Sequence, residues 1–156
     1  MEKIDSLNQV AEFHRTFNAP ILDQPQIPSK ERCELRVSLL QEELNELKQA
    51  IEDQNIVEIA DALCDLQYVL SGAVLEFGLG EKFVELFNEV QRSNMSKACE
   101  NEQQAEETVI FYKETKGEEA YYEKSGGKYN VHRVSDDKVL KNKYYSPADL
   151  KSIIEK

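Results

Sequence analysis

The sequence predicts an all-α body with a small β-rich C-terminal appendage, and three observations carry this prediction. Apolar residues recur at helical spacing through the first hundred of the 156 residues. Six of the seven tyrosines lie after residue 100, where short β-prone segments alternate with glycines. Residues 1–100 carry 19 acidic and 9 basic side chains, a balance of −10, whereas residues 101–156 carry 11 and 10, a balance of −1. We therefore expect a helical domain over 1–100 and a β-rich appendage with a C-terminal tail over 101–156.

Four helices are predicted in the first hundred residues from their apolar periodicity. Three prolines between the first and second helices indicate an ordered loop, since proline is excluded from a helix interior. Ser29 is a good N-cap for the second helix, and Gly78 provides a C-terminal stop for the third. The predicted bounds are about Ile4–Phe17, Ser29–Glu52, Asn55–Gly78, and Glu81 to Met95 or Cys99.

Both long helices carry apolar stripes that we expect to form the core. The second helix has Cys33, Val37, Leu40, Leu44, Leu47 and Ile51, and the third has Ile56, Ile59, Ala60, Leu63, Leu66, Leu70, Ala73, Val74 and Phe77. The third helix also presents Tyr68, Val69 and Leu75 outside its stripe. A monomer would cover so much apolar surface poorly, so a homodimer or homotetramer is expected.

The appendage is predicted to contain three strands, because β-branched and aromatic residues cluster between turn glycines. A short closing helix is expected to begin at Ser146-Pro147 and to end near Ile154. His132 falls in one of the strands with no visible partner, and no role is assigned to it. The predicted strands are Thr108–Tyr112, Ala120–Lys124 and Tyr129–Val134.

Composition argues against several classes of protein. A net charge of −11 speaks against a nucleic-acid or anionic-membrane partner, since either requires a basic footprint. No apolar run approaches the roughly 18 residues of a membrane span, and the N-terminal residues 1–5 lack an apolar signal core. The three cysteines show neither metal-ligand spacing nor a disulfide framework. We expect a reduced, cytoplasmic setting.

Carboxylates on the second and third helices suggest a metal site. Glu43 and Glu46 are three residues apart on one helix, and Glu58, Asp61 and Asp65 share a face of the next. The short connection between the helices requires an antiparallel hairpin, which brings these two faces within reach of each other. Converging carboxylates form a hard oxygen-donor cage suited to Mg²⁺ or Mn²⁺.

The alternative interpretation of these carboxylates is an ordinary solvated helix face. Two observations weigh against it. No Lys or Arg occurs from Gln49 to Glu81, although solvated faces usually mix signs. Glu43 and Glu46 also lie beside Leu39 on the helical wheel, as in a semi-buried site. The residues alone leave both interpretations open.

The same residues resemble a known family. Glu-Glu-x-x-Glu at 42–46 and Glu-x-x-Asp at 58–61 are similar to motifs of the all-α nucleoside triphosphate pyrophosphohydrolases, which include MazG-like enzymes, dimeric dUTPases and phosphoribosyl-ATP pyrophosphohydrolases. The segment 87–97, ending in Asn-Met-Ser-Lys, resembles the end of the family's fourth helix. The resemblance covers roughly residues 5–100 and returns weakly around 136–141 and 145–147. It implies a four-helix MazG-like catalytic domain.

Carried over to this sequence, the resemblance implies a role for each matched residue. Glu43, Glu46, Glu58 and Asp61 would ligate Mg²⁺, with Mn²⁺ possible, and Glu42 would orient or deprotonate the attacking water. The family's oligomers point to the same assembly as the apolar surface. The implied substrate-binding residues are Asn94, Lys97, Arg36, Asp65 and Lys141. For Arg36, as for Arg92, an ordinary surface arginine is the competing interpretation. His14, Phe17 and Asn18 could line a base pocket, or could serve as core and cap residues.

The reaction implied by the resemblance is Mg²⁺-dependent hydrolysis of a nucleoside triphosphate to the monophosphate and pyrophosphate, with a deoxynucleotide as the expected substrate. Two alternatives stay open: a phosphoribosyl-ATP pyrophosphohydrolase, and a non-catalytic helical oligomerisation or binding module. The sequence departs from the family between residues 101 and 135, where some thirty extra residues intervene. This insertion could cap the site or extend an interface, so the substrate's base and sugar stay open.

Overall fold

A computed structural model describes residues 4–156, so residues 1–3, part of the predicted signal-free N-terminus, lie outside it. The chain divides into two compact units, the first ending at Phe83 and the second running from Val84 to Lys156. The predicted functional division at residue 100 stays a prediction. The described residues form the following elements: α1 (Ser6–Thr16), α2 (Lys30–Glu52), α3 (Ile56–Glu76), α4 (Phe83–Met95), α5 (Glu102–Lys116), β1 (Ala120–Ser125), β2 (Lys128–Arg133), β3 (Val139–Leu140) and α6 (Leu150–Ile154), with a short 3-10 turn at Gly80–Lys82.

The first unit is built on an antiparallel hairpin of α2 and α3. Ser29 caps α2 as predicted, with its hydroxyl accepting a hydrogen bond from the Arg32 amide at 3.4 Å. Asn55 caps α3 by accepting from the amides of Val57 and Glu58 at 3.1 and 3.4 Å. Each helix therefore has a side-chain cap at its N-terminus and begins where the sequence predicted.

The hairpin buries only part of the predicted apolar stripes. The buried residues are Arg36 and Ala50 on α2, and Ala62, Ser71, Gly72, Val74, Leu75 and Glu76 on α3. Much of the predicted apolar core is exposed instead: Val37 by 68%, Ile56 by 74% and Leu63 by 51%. The expectation that these stripes form the core is met only in part, since Val74 is buried and several stripe residues are half-buried. Arg36 and Glu76 also lie between α2 and α3, as a buried charged pair.

The apolar core of the first unit lies at the far end of α3. Val10 and Ala11 of α1 pack with Leu75, and Ile21 of the following loop covers them. The proline-containing loop is fixed to the end of α3, where Leu22 and Gln26 donate backbone hydrogen bonds to the carbonyls of Leu75 and Phe77 at 3.0 and 3.1 Å. This end of the hairpin is therefore held by backbone bonds as well as by packing.

Gly78 permits this close approach of loop and helix. Its φ of +67° lies in the left-handed region, and a Cβ at this position would overlap the carbonyl of Gln24. A glycine stop at the end of α3, predicted from the sequence, thus has a steric cause in the loop that packs against it.

The second unit contains a three-stranded antiparallel sheet in the order β1-β2-β3. The strands predicted at Ala120–Lys124 and Tyr129–Val134 are confirmed with small shifts of their ends. α5 packs on the sheet around a core of Cys99, Ala105, Val131 and Leu140. The chain is therefore mostly helical with a small C-terminal sheet, as predicted.

The strand predicted at Thr108–Tyr112 was wrong, because this segment lies inside α5. Asn101 caps the helix by accepting from the Gln104 amide at 2.9 Å, and Gly117 ends it with a φ of +66°. Helix-forming Glu, Gln and Lys residues surround the β-prone segment, so capping and context override its local propensity. The closing helix also begins later than predicted, at Leu150 with Asp149 as its cap.

Among residues 4–156, no single helix is long and apolar enough to cross a membrane, although one bent pair of helices meets the criteria of length and composition when taken together.

Candidate functional site

Glu43 of α2 is the central carboxylate of the predicted cage. Its side chain is half-buried, and its Oε2 is enclosed without a hydrogen-bond partner among the described residues. A buried carboxylate oxygen normally accepts hydrogen bonds or pairs with a cation, because its desolvation is otherwise costly. Glu43 therefore occupies a position that favours a cation.

The surroundings of Glu43 oppose its negative charge. Burial raises the pKa of Glu43, and repulsion from the carboxylates of Asp65, Glu46, Glu42 and Asp61 raises it further. These residues come from both helices, so the hairpin does bring the two acidic faces together, as predicted. No basic side chain within the segment from Gln49 to Glu81 offsets them.

The carboxylates are close neighbours without forming a complete cage. Glu42, Glu46, Glu58, Asp61 and Asp65 are all exposed. No group of three or more His, Cys, Asp or Glu side chains in the described part of the chain is arranged to hold a metal ion. Glu58 is absent from the carboxylates that act on Glu43, and its amide is bound by Asn55 in the first turn of α3. The individual ligand assignments therefore stay predictions.

The donor chemistry nevertheless fits a hard divalent cation. Glu43 contributes an enclosed oxygen that has no hydrogen-bond partner among residues 4–156, and the exposed carboxylates of Asp61, Glu46 and Asp65 lie near it. Oxygen donors of this kind suit Mg²⁺ or Mn²⁺ better than softer metals. A cation here would relieve the repulsion that raises the pKa of Glu43.

A second cluster lies toward the other end of the same hairpin. Arg32 and Arg36 of α2 both bind the carboxylate of Glu76, the last residue of α3, which is 1% exposed. Burial by itself raises the pKa of Glu76, but hydrogen bonds from Arg36 and Arg32 outweigh it and hold the pKa below its usual range. This cluster fixes the pairing of α2 with α3.

Arg36 is not the surface arginine that the competing interpretation expected. It is 8% exposed, and the predicted contact of Arg36 with substrate stays a prediction. The sequence analysis did not identify Glu76 as the partner of Arg36, or Arg32 as the second arginine that binds Glu76. The available signal was the i, i+4 spacing of Arg32 and Arg36, together with a lone acidic residue near the end of an apolar helix.

His14 belongs to the same buried cluster rather than to an open pocket. It is 2% exposed, its Nδ1 lies 2.8 Å from the Pro20 carbonyl, and its Nε2 lies 3.4 Å from Nη2 of Arg36. Since a carbonyl only accepts, Nδ1 donates to Pro20 and Nε2 accepts from Arg36. His14 thus has the core role that the sequence analysis weighed against a base pocket. Phe17 is 66% exposed.

Three further predicted residues lie in the second unit. Lys97 donates to the side-chain oxygen of Asn94 at 2.8 Å, just after the end of α4. The Asn142 amide donates to the Lys97 carbonyl at 2.9 Å, which places the neighbouring Lys141 beside this segment. The Lys141 ammonium lies 4.3 Å from the ring centroid of Tyr145, a residue that the sequence analysis did not select. The structure thus joins Asn94, Lys97 and Lys141 in one region.

Comparison with known proteins agrees with the resemblance noted in the sequence. The family model of phosphoribosyl-ATP pyrophosphohydrolase matches residues 10–94. This segment contains all the predicted carboxylates and ends at Asn94. A viral relative, Uncharacterized protein L479 of Acanthamoeba polyphaga mimivirus, is 24% identical across 99% of this chain and 97% of its own length. Because the family model matches more than half of the chain, the protein belongs to the phosphoribosyl-ATP pyrophosphohydrolase family, within the MazG-like superfamily of nucleoside triphosphate pyrophosphohydrolases.

Proposed function

We propose that the protein is a Mg²⁺-dependent nucleoside triphosphate pyrophosphohydrolase that acts on a deoxynucleotide. Water attacks phosphorus and breaks the phosphoanhydride bond between the α- and β-phosphates, releasing the monophosphate and pyrophosphate. The observation that carries the proposal is the enclosed, unpartnered oxygen of Glu43 among the carboxylates of Glu46, Asp61 and Asp65. Membership in a pyrophosphohydrolase family supports the reaction class.

The residues have distinct roles in this proposal. Glu43, Glu46, Glu58 and Asp61 hold the divalent cation, and Asp65, which repels Glu43 in the absence of a cation, contributes to substrate binding. A bound Mg²⁺ or Mn²⁺ supplies neutralisation of phosphate charge and acidification of a coordinated water. Glu42 is exposed next to the cage and accepts the proton of the attacking water or orients it. Asn94, Lys97 and Lys141 bind phosphate oxygens.

The catalytic unit is proposed to be a four-helix body that assembles into a homodimer or homotetramer. Support comes from the exposed apolar side chains of α2 and α3, such as Val37, Leu44 and Leu63. Light scattering coupled to gel filtration tests this directly. We expect an oligomer for the natural chain and a smaller species for Leu63→Glu, whereas a monomeric natural chain would contradict the proposal.

Phosphoribosyl-ATP is the second candidate substrate, and the description of the matching family model favours it. It is cleaved at the same kind of phosphoanhydride bond, so the proposed cage serves either substrate. A non-catalytic helical oligomerisation or binding module is the third possibility. The presence of all four predicted ligands, Glu43, Glu46, Glu58 and Asp61, favours an enzyme over such a module.

The test is a panel of canonical and modified nucleoside triphosphates and phosphoribosyl-ATP, incubated with and without Mg²⁺. Pyrophosphate and orthophosphate are measured separately. We expect metal-dependent pyrophosphate release from one or a few triphosphates. Release from phosphoribosyl-ATP alone would establish the second candidate, and no release from any compound would favour the binding module.

Two substitutions test the cage itself. Glu46→Ala and Asp61→Ala should abolish turnover while leaving the helical circular dichroism nearly intact, since both side chains are exposed. Glu52→Gln is the matched control, because Glu52 is an exposed carboxylate of α2 whose nearest cation is Lys48 at 3.9 Å. Full activity in either cage variant would contradict the proposed roles.

The expected absence of nucleic-acid and membrane partners and the expected cellular compartment are also proposals. A net charge of −11 supports the view that neither nucleic acid nor an anionic membrane is a partner. Cys33, Cys64 and Cys99 are free thiols, which supports a reduced, cytoplasmic setting.

A further inference from the structure

β1 (Ala120–Ser125) forms one edge of the three-stranded sheet, because the strands lie in the order β1-β2-β3. Its six residues pair one to one with β2, from Ala120 with Arg133 to Ser125 with Lys128. The other edge strand, β3, has only two residues. Proteins protect the edges of sheets from further pairing by short strands, bulges or prolines, and β1 has none of these.

The backbone groups on the outer side of β1 belong to Ala120, Tyr122 and Lys124. Tyr129, the partner of Lys124 in β2, donates its N–H to the Cys99 carbonyl at 2.9 Å and accepts from the Cys99 amide at 2.8 Å. The Lys124–Tyr129 pair is therefore not hydrogen-bonded, and in an antiparallel ladder every second residue then turns its N–H and C=O away from the partner strand. No other segment of residues 4–156 supplies a backbone partner for these outward groups.

The side chain of Lys124 leaves this edge open. A lysine on an edge strand hinders pairing when its charge lies where the next strand would bind. Here the ammonium lies 5.6 Å from the centroid of the Tyr129 ring on β2, so the side chain is turned over the sheet. The outward N–H and C=O groups of β1 are therefore accessible to another strand.

An apolar side chain lies beside the same edge. Ile110 of α5, the helix that packs on the sheet, is 52% exposed. With Ala120 and Tyr121 it lines a groove of about 480 Å³ between the helix and β1. In an antiparallel pair of identical strands, the corresponding faces of both strands lie on the same side of the sheet. A second copy of β1 would therefore bring its own α5 to the side on which Ile110 is exposed.

The sequence of β1 is complementary to itself in one antiparallel register. Outward-facing residues must lie opposite outward-facing residues, so only shifts of two residues are possible. The register with the longest overlap places Tyr122 opposite Tyr122 and Ala120 opposite Lys124. It also places Tyr121 opposite Glu123, so no like charges face each other along the strand.

Both neighbouring registers bring two carboxylates together. A shift in one direction places Glu123 opposite Glu123, and a shift in the other places Glu123 opposite Glu119, which directly precedes the strand. Like charges directly opposite each other destabilise a strand pair. The charges of this segment therefore select the register that also forms the most hydrogen bonds.

We propose that two copies of this chain pair through the outer edge of β1, antiparallel about a twofold axis at Tyr122, and so join their three-stranded sheets into one continuous sheet. A twofold contact uses the same surface of both copies, as this register does. The outward N–H groups of Ala120, Tyr122 and Lys124 in each copy donate to carbonyls of the other. This surface lies outside the segment 10–94 matched by the family model and is separate from the α2 and α3 surface of the proposed oligomer.

Lys124→Pro tests the edge, because proline removes an outward N–H that the pairing with β2 does not use. Sedimentation equilibrium on the full chain carrying Leu63→Glu measures self-association with the proposed helical interface disrupted. We expect Lys124→Pro to weaken this association about thirtyfold, since one hydrogen bond from each copy is lost. Lys124→Ala is the matched control: it keeps the N–H and should stay within about threefold.

Residue-resolved amide hydrogen exchange examines the same edge without a substitution. In the natural chain, the amides of Ala120, Tyr122 and Lys124 should be protected at high protein concentration and exchange quickly at low concentration. The amides of Tyr121 and Glu123 face β2 and should be protected at both concentrations, which makes them the internal control. They also show whether the hairpin of Lys124→Pro is still folded.

A pair of substitutions at Tyr121 tests the register. Tyr121→Lys and Tyr121→Glu lose the same contacts of the ring, but they place opposite charges against Glu123 of the second copy. We expect the lysine variant to associate about tenfold more tightly than the glutamate variant, because the twofold axis repeats each contact. Equal association of the two variants would refute the register.

Two other outcomes would overturn the proposal: association that Lys124→Pro leaves unchanged, and outward amides that exchange quickly at every protein concentration. The second outcome would leave the edge open to a different partner, such as an extended peptide. The two interfaces are tested separately. Leu63→Glu without effect on size, combined with a loss of association in Lys124→Pro, refutes the helical interface alone, whereas the converse result refutes the β1 interface alone.

Discussion

Two glutamates of the same helical hairpin, the buried Glu76 and the half-buried Glu43, have opposite electrostatic surroundings. Glu76 at one end is held by Arg32 and Arg36, and its pKa lies below the usual range. Glu43 lies among carboxylates of both helices, has an oxygen without a partner, and has a raised pKa. Among the residues that the structure describes, two arginines compensate Glu76 and no basic side chain compensates Glu43.

This difference separates a structural charge, that of Glu76, from one that we propose to be functional, that of Glu43. Burying a carboxylate is costly unless a cation compensates it, so Glu76 with its two arginines is explained by folding alone. Glu43 is not, because its neighbours only add repulsion. A cation from outside the chain, as we propose, would compensate the charge of Glu43, and the predictions below test this contrast.

The largest effect is expected from Glu76→Gln. Removing this charge leaves Arg32 and Arg36 together without compensation, and the loss should be about 3 kcal/mol of unfolding free energy. Urea denaturation measures it as a shift of the midpoint. Glu34→Gln is the control, since the Lys30–Glu34 pair on α2 is exposed and should contribute little. A Glu76→Gln midpoint equal to that of the natural chain would show that the cluster is not structural.

The next largest effect is expected from adding Mg²⁺ to the natural chain. A ligand that binds only the folded state stabilises it by about 2.7 kcal/mol at a hundred times its Kd. The melting temperature should therefore rise with Mg²⁺ in the natural chain and in Glu52→Gln, but much less in Glu43→Gln. The same Mg²⁺ response in all three proteins would place cation binding elsewhere.

A smaller and opposite effect is expected for Glu43→Gln when a chelator removes divalent cations. The substitution relieves repulsion from Asp65 and Glu46, and like-charge pairs of this kind cost about 0.5 kcal/mol or less each. Urea denaturation in the presence of chelator should show a slightly more stable variant. A clearly less stable variant would indicate that the Glu43 charge has a favourable partner after all.

The smallest effect concerns acid stability. The pKa of Glu76 is lowered from 4.5 in the folded state, so its stabilising contribution is present above pH 4.5 and is lost as the pH falls below that value. Glu76→Gln removes this contribution. The difference in unfolding free energy between the natural chain and Glu76→Gln should therefore shrink as the pH is lowered from about 5 towards 3. A difference that stays constant over this range would contradict the lowered pKa.

The sequence predicted the first four helices well because their signals are local. Ser29 and Asn55 cap the helices that they were expected to start, and Gly78 follows the end of α3. The strand predicted at Thr108–Tyr112 failed for the converse reason. β-branched and aromatic residues indicated a strand, while the caps at Asn101 and Gly117, which lie outside that window, determine a helix.

The sequence predicted only those features of the site that follow from helical spacing. Spacing placed Glu43 and Asp65 on facing surfaces, and the structure confirms that they interact. Arg36 and Glu76 are 40 residues apart, and Lys97 and Tyr145 are separated by most of the second unit. Contacts at such distances depend on tertiary packing, which no local pattern encodes. The exposed stripes of α2 and α3 have the same cause, since hydropathy identifies an apolar face without identifying its partner.

The loop that packs on the end of α3 has a consequence for comparing relatives of this protein. Because the Gln24 carbonyl occupies the space where a side chain at position 78 would begin, glycine is required there by volume and by backbone conformation. A relative that retains this glycine but has lost the carboxylates of the proposed cation site would keep the loop and the fold without that site. In an alignment, Gly78 therefore reports on the loop and the fold, whereas Glu43 reports on the proposed cation site.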